Sequence, residues 1–306
     1  MKKGVRQAVR AEFTRACAEG RAPDFAAATQ ADWIKVADDL ILRGDLELGA
    51  YAVRSIRATW PSLAWGNNVA ELLDLMPPAD ADAARFADDF SKTLQVAPRP
   101  GADTVVLVFC GAENRVGMPV PMLHRWLSRS PVSLVYLRDP SGRAYLGGLA
   151  EAGPDLAATL ARLRAVFQEL GARRVVCYGN SIGGYGALRY GLELEADAVF
   201  CMAGLVNMRS DFNAGLHYLG AARRIEAAFP KAELDLRERY LAAAAPPATW
   251  MVHAEHNWDD RIHAEHMAGL EGVTLTRIAG SKNHNVAAEL IRAGRFEAML
   301  GRGLAA

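Results

Sequence analysis

The chain has 306 residues, 51% of them hydrophobic, and its 35 basic side chains balance 35 acidic ones. That is enough apolar material for a large core, in one big domain or in a domain with an appendage. Zero net charge without blocks of like sign excludes nucleic acid and anionic membrane as main partners, and no stretch is long and apolar enough to span a bilayer.

The opening segment, MKKGVRQAVRAEFTRACAEG, is basic but lacks the apolar run of a secretory signal, so a cytoplasmic location is expected. Segments up to about residue 96 read as helix only. WIKVADDLILRG places Ile34, Ala37, Leu40 and Ile41 on one face, and ELGAYAVRSIRATWP continues the habit. The positions Trp33, Gly44, Ala50 and Pro61 resemble one tetratricopeptide unit, with SLAWGNNVAELLDLMPP as a partial second. Either this region is a helical cap on the rest of the chain, or it offers a docking face to a protein partner or a second copy. QVAPRPGAD, with two prolines and a glycine, reads as a linker, which gives an all-α region over 1–96 and a second domain over 97–306.

Beyond the linker, strand-like and helix-like segments alternate, the signature of an α/β domain with a mostly parallel sheet and helices on both faces. Strands are expected at TVVLVFC, VSLVYLR, RRVVCYG, ADAVFCMA, TWMVHAE and VTLTRIA. Helices are expected at MLHRWL, LAATLARLRAVFQEL and GGYGALRYGLEL, with NVAAELIRAGRFEAML as one closing helix. Residues 205–247 form a helix-like insertion, suited to a lid over a pocket or to a partner-facing surface. Its mixed charge argues against a strongly lipophilic lid. Cys110, Cys177 and Cys201 fall in apolar strand-like runs, and with Cys17 they follow no CxxC or other metal spacing, so all four are expected to be small core residues rather than a disulfide scaffold.

The chemistry concentrates in Gly179-Asn180-Ser181-Ile182-Gly183. Glycine within regular elements is destabilising, so this cluster demands a geometric reason, and a strand reversing sharply into a helix supplies one. The apex residue then takes a strained backbone and projects its side chain above the sheet. Gly179 and Gly183 avoid Cβ collisions, and Gly184 allows tight helix packing. A helix N-terminus at the serine favours developing negative charge. A serine hydroxyl is a poor nucleophile without a base, and the base needs an acid to orient it. His284, in the polar loop GSKNHNVAAEL after the final strand, is the candidate base. For the acid, the loop after the preceding strand offers Asp259 and Asp260; Asp260 is favoured and Asp259 stays open.

With this order of serine, acid and histidine, residues from about 100 to 306 resemble the α/β-hydrolase superfamily. The resemblance implies an α/β-hydrolase fold and acyl transfer through a Ser181–His284–Asp260 triad. It also implies an oxyanion hole made by the amide of Ile182 and one in the loop FCGAENRVGMP, at Ala112 or the adjacent Gly111. The chain reads Cys110-Gly111 where the family often has His-Gly. YLRDPSGRAYLGG together with GNSIGGYGALRYG is also similar to bacterial hydrolases that carry helical repeats and accompany glycan-assembly enzymes.

The implied activity is cleavage of a carboxylic ester or thioester, on a small-molecule or glycan substrate. Transfer of the acyl group to or from a glycan hydroxyl is the variant chemistry, and a catalytically silent scaffold on the same fold is the competing class. No cofactor is implied. The echo His253-Ala-Glu-His256 and His263-Ala-Glu-His266 invites a metal site, but neither copy is HExxH and none is expected. His263 and His266 are expected on a surface helix, and His253 and His256 near the acid loop. Arg138 and Asp139 end a strand on the active face, available for substrate contact or for a salt bridge that fixes the loop.

Overall fold

The computed structural model describes residues 3–63, 67–80 and 85–304. The chain divides into two compact units, one of residues 1–88 with 118–126 and one of residues 89–117 with 127–306.

The first unit is helical: α1 (Lys3–Ala18), α2 (Gln30–Leu42), α3 (Leu46–Thr59), α4 (Asn67–Asp74) and most of α5 (Val120–Leu127). Thr29 opens α2 with a capping box, its side chain accepting from the Asp32 amide while Asp32 reaches back to the Thr29 amide. Gly44, at φ 72°, lets the chain leave α2 and start α3 within three residues; a Cβ there would lie 2.2 Å from the Phe86 carbonyl oxygen. The apolar face of α2 buries Trp33, Val36, Ala37, Leu40 and Ile41, and Trp33 packs edge-on against Phe13 and Phe25 at 4.8 Å each. Residues 64–66 of the stretch likened to a second repeat lie outside the described residues.

The second unit is built on seven strands: β1 (Leu94–Ala97), β2 (Thr104–Phe109), β3 (Val132–Leu137), β4 (Arg174–Asn180), β5 (Ala198–Met202), β6 (Ala248–Ala254) and β7 (Val273–Ile278). Their order is β1-β3-β2-β4-β5-β6-β7, all parallel except β1, which runs antiparallel to β3. β2, β3 and β5 are buried along their whole length, as near-continuous Val/Leu/Phe runs require when helices cover both faces.

The helices of this unit are α6 (Leu156–Glu169), α7 (Ile182–Glu193), α8 (Leu219–Glu226), α9 (Leu236–Ala242), α10 (Trp258–His266), α11 (Val286–Arg292) and α12 (Phe296–Leu304). Strand alternation shows that α7 and α12 lie on opposite faces: α7 meets β5 at Val199 through Gly191, whereas α12 meets Ala198 and Phe200 through Gly303. On the α7 face, Phe109, Tyr145 and Tyr190 form an edge-to-face cluster, with Phe109 5.1 Å from each of the other two. Burying each such ring is worth about 1.5–3 kcal/mol.

Three local expectations give way. β1 begins just before the stretch read as linker and runs into it, where no strand is expected. It is a four-residue edge strand tied down by Glu151, whose carboxylate accepts the Thr93 and Leu94 amides at 2.7 and 3.0 Å. The single closing helix is two, parted at Gly294 (φ 62°), whose left-handed backbone ends α11 before α12 begins. Of the four cysteines expected in the core, the three strand cysteines Cys110, Cys177 and Cys201 are buried, whereas Cys17, on α1, is exposed.

The chain visits β3 on one side of β2 and then β4 on the other. The carboxyl ends of β2 and β4 therefore flank the topological switch point, where open parallel sheets leave a crevice.

Candidate active site

β4 runs straight into Ser181, which adopts φ 56°, ψ −126° before α7 begins. A non-glycine residue held there costs on the order of 1–3 kcal/mol. The surroundings fix it at both ends: its amide donates to the Met202 carbonyl (2.9 Å), and its carbonyl accepts from Gly184 (2.9 Å) and Leu205 (3.2 Å). The glycines around it are steric necessities. A Cβ on Gly179 would lie 2.2 Å from the Gly183 carbonyl oxygen, one on Gly183 2.2 Å from that of Phe109, and one on Gly184 2.6 Å from Gly204 Cα. The Ser181 side chain makes no capping bond to its own helix, which leaves the hydroxyl at the apex.

His284 lies in the loop between β7 and α11, and its Nδ1 is 2.8 Å from Asp260 Oδ1. Asp260 sits in the first turn of α10, where the Asn257 side chain accepts its amide as an N-cap, and its carboxylate is fully buried. Asp259 points elsewhere, accepting the His217 amide at 3.2 Å. The Tyr218 hydroxyl, from the insertion, lies 3.4 Å from Asp260 Oδ1 and 3.5 Å from His284 Nδ1. Burial, with the Asp260 charge beside it, raises the Tyr218 phenol well above its ordinary value, so this tyrosine is a neutral donor. Nothing in the sequence singles out Tyr218.

One close approach and one hydrogen-bonded route tie the Ser181 and His284 segments together. Asn285, next to His284, donates through its side chain to the Gly117 carbonyl. Asn180, next to Ser181, reaches the same glycine: its Nδ2 would be 3.6 Å from a Cβ placed there. On the other side, Leu205 donates to Ser181 and the adjacent Val206 amide donates to His263 Nδ1 (3.2 Å), one turn along α10 from Asp260. The structure thus joins His284 to Asp260 directly, and no hydrogen bond joins Ser181 to His284 among the described residues.

At the switch point, Cys110, Gly111, Ala112 and Ile182 line a cavity of about 270 Å³. The Gly111 amide is already committed to the Arg115 carbonyl at 2.6 Å. The Ala112 and Ile182 amides donate to no backbone acceptor among the described residues, as befits a loop and the first position of a helix. A larger groove of about 960 Å³, lined by Glu195, Asp197 and Pro246 among others, opens near the starts of β5 and β6, away from the elbow.

The histidine echo resolves into four environments. His253 is buried at the end of β6, while His256 is exposed. His266 bonds Asp235 at 2.9 Å. His263 does not lie on a surface face: it is fully buried, because α10 turns Asp260 and His263 inward together at i, i+3. Arg138 is also buried and donates to the Lys92 carbonyl and Gln95, while Asp139 accepts the Ser141 and Tyr145 amides, so both stabilise the loops around them.

Burial pushes the His263 imidazole down to about 3 from 6.5, with His266 a lesser cause. Between those values the unfolded chain binds a proton that the folded chain refuses. The contribution is therefore intact above pH 6.5 and is lost as pH falls toward 3, at no more than about 1.4 kcal/mol per pH unit. His263→Asn keeps an acceptor near the Nδ1 position without a titrating group. It is expected to flatten the fall in urea-unfolding free energy over roughly pH 6 to 4 by about one proton. An unchanged slope would refute this assignment.

A mostly parallel sheet, a strand–elbow–helix after β4, and polar loops after β6 and β7 that bring a carboxylate and an imidazole together have the layout of the α/β-hydrolase fold. No family model and no curated protein matches the chain. Among solved structures it is similar to an S-formylglutathione hydrolase from Agrobacterium tumefaciens, with 14% identity, 69% of this chain and 88% of that one covered, and a TM-score of 0.44. It is also similar to a Pyrococcus furiosus esterase (15%, 67% and 84%, 0.43). A third is a protein that recognises and ring-cleaves the Pseudomonas quinolone signal (16%, 70% and 96%, 0.46). Among the described residues no helix is long and apolar enough to cross a membrane.

Proposed function

We propose that the chain is a serine hydrolase that cleaves a carboxylic ester or thioester through an acyl-enzyme. The observation that carries this is the 2.8 Å bond from His284 to the buried Asp260, in the same unit as a serine held at φ 56° on a strand–helix elbow. Asp260 holds the proton-bearing Nδ1 and stabilises the imidazolium, leaving Nε2 to act as base.

Ser181 Oγ attacks the acyl carbon while its proton passes to His284 Nε2, and the carbonyl π pair moves onto oxygen. The amides of Ile182 and Ala112 receive that oxyanion; Ala112 is preferred to Gly111 because the Gly111 amide is already engaged. Collapse breaks the bond to the leaving oxygen or sulfur, which takes the proton from Nε2. Water then attacks the acyl-enzyme with His284 as base again, releasing the acid and restoring Ser181.

An active-site-directed fluorophosphonate tests the reading. Covalent labelling of the wild type that is absent in folded Ser181→Ala is the expected result. Folded wild type that stays unlabelled would favour a scaffold without chemistry.

A further inference from the structure

The cavity at the switch point is closed on one side by α8, which buries Ala222 and Ile225 and turns Ala221 and Arg224, one turn apart, into the cavity wall. Arg224 makes no ion pair among the described residues; its guanidinium donates only to the Gly220 carbonyl of its own helix, at 3.1 Å. Asp139 lines the same cavity, but no ion pair joins it to Arg224 among the described residues. Its Oδ1 accepts the Ser141 amide (3.1 Å) and hydroxyl, and its Oδ2 accepts the Tyr145 amide (2.8 Å). Three of about four acceptor sites on that carboxylate are therefore spent on its own loop.

Tyr145, which also lines the cavity, is held by several hydrogen bonds. Tyr145, at φ 66°, has its hydroxyl 2.7 Å from the Cys110 carbonyl and 3.0 Å from that of Leu137, and the Tyr190 hydroxyl donates to the Tyr145 carbonyl. An exposed guanidinium that forms no ion pair among the described residues thus faces a space that also reaches Ala112 and Ile182, and that space holds only a short group.

We propose that Arg224 binds an anionic group, a carboxylate on a short chain, carried by the ester. The site thereby selects short anionic esters over neutral ones of the same length. This rests on the hydrolase reading only for the word ester. The guanidinium offers paired N–H donors matched to a carboxylate, and charge-assisted bonds of this kind are the strong ones.

The test is calorimetric titration of Ser181→Ala, with and without Arg224→Gln, using three probes of similar size. Methyl hydrogen glutarate carries its charge on the acyl side, 3-acetoxypropanoate on the alcohol side, and methyl pentanoate carries none. At least one anionic probe is expected to bind more tightly than methyl pentanoate and to lose about 10- to 100-fold in affinity with Arg224→Gln. The neutral probe should be unaffected, and so should all three with Arg223→Gln, the neighbouring arginine, which is likewise exposed but does not line the cavity. Which anionic probe responds tells the side of the ester that Arg224 meets. Saturable binding of neither anionic probe, equal affinities with and without Arg224, or an equal loss with Arg223→Gln would overturn the proposal. Fluorophosphonate labelling separates the two readings: Arg224-dependent binding in a chain that resists labelling would leave the anion site standing and the hydrolase falling, and labelling without anion preference the reverse.

Discussion

Ser181→Ala, His284→Ala and the double variant are expected to share one residual turnover of 4-nitrophenyl acetate, each about 10⁶-fold below wild type in kcat. Without the serine the imidazole has no proton to take, and without the imidazole the hydroxyl stays protonated. Each single change therefore removes the same event, and the second adds nothing. What survives is water attack assisted by the Ile182 and Ala112 amides. Losses that multiply in the double variant would mean that the two residues act separately. A His284→Ala variant close to wild type would remove His284 from the mechanism.

The second large effect separates two neighbouring carboxylates. Asp260→Asn is expected to lower kcat by about 10⁴-fold, because an amide of nearly the same shape presents N–H where Nδ1–H needs an acceptor and reverses the imidazole tautomer. Asp259→Asn should stay within about twofold, since its oxygen can still accept from the His217 amide as before. Circular dichroism would show both variants folded, and steady-state kinetics on one ester would rank them. A larger loss for Asp259→Asn would reassign the acid.

The elbow is the most legible part of this molecule, for a physical reason. Gly179, Gly183 and Gly184 stand where any Cβ would strike backbone, so the turn is written as composition. The buried strands are legible because β2, β3 and β5 are apolar at nearly every position and need no partner to declare themselves. The acid is harder to read, since Asp259 and Asp260 are adjacent and only the 100° turn between successive helical residues decides which one faces His284. His263 looks like a surface residue in the sequence because its helix is polar overall. The inward face is set by the insertion packed against it, with Val206 donating to the ring and Phe212 5.2 Å away. Tyr218 and Arg224 carry no local signal, as their place comes from how residues 205–247 fold back. β1 is hidden because four residues hold no periodicity, and the amide of its first residue, Leu94, is satisfied by Glu151, 57 residues away in sequence.

The backbone at position 181 limits which side chains the elbow can ever display. At φ 56°, ψ −126°, a second substituent on Cβ would crowd the flanking peptide planes, so threonine and valine are barred on shape alone. Cysteine and aspartate, unbranched at Cβ, meet no such obstacle. Single replacement could therefore put a thiol or a carboxylate in place of the hydroxyl, and the scaffold would hold each at the same apex.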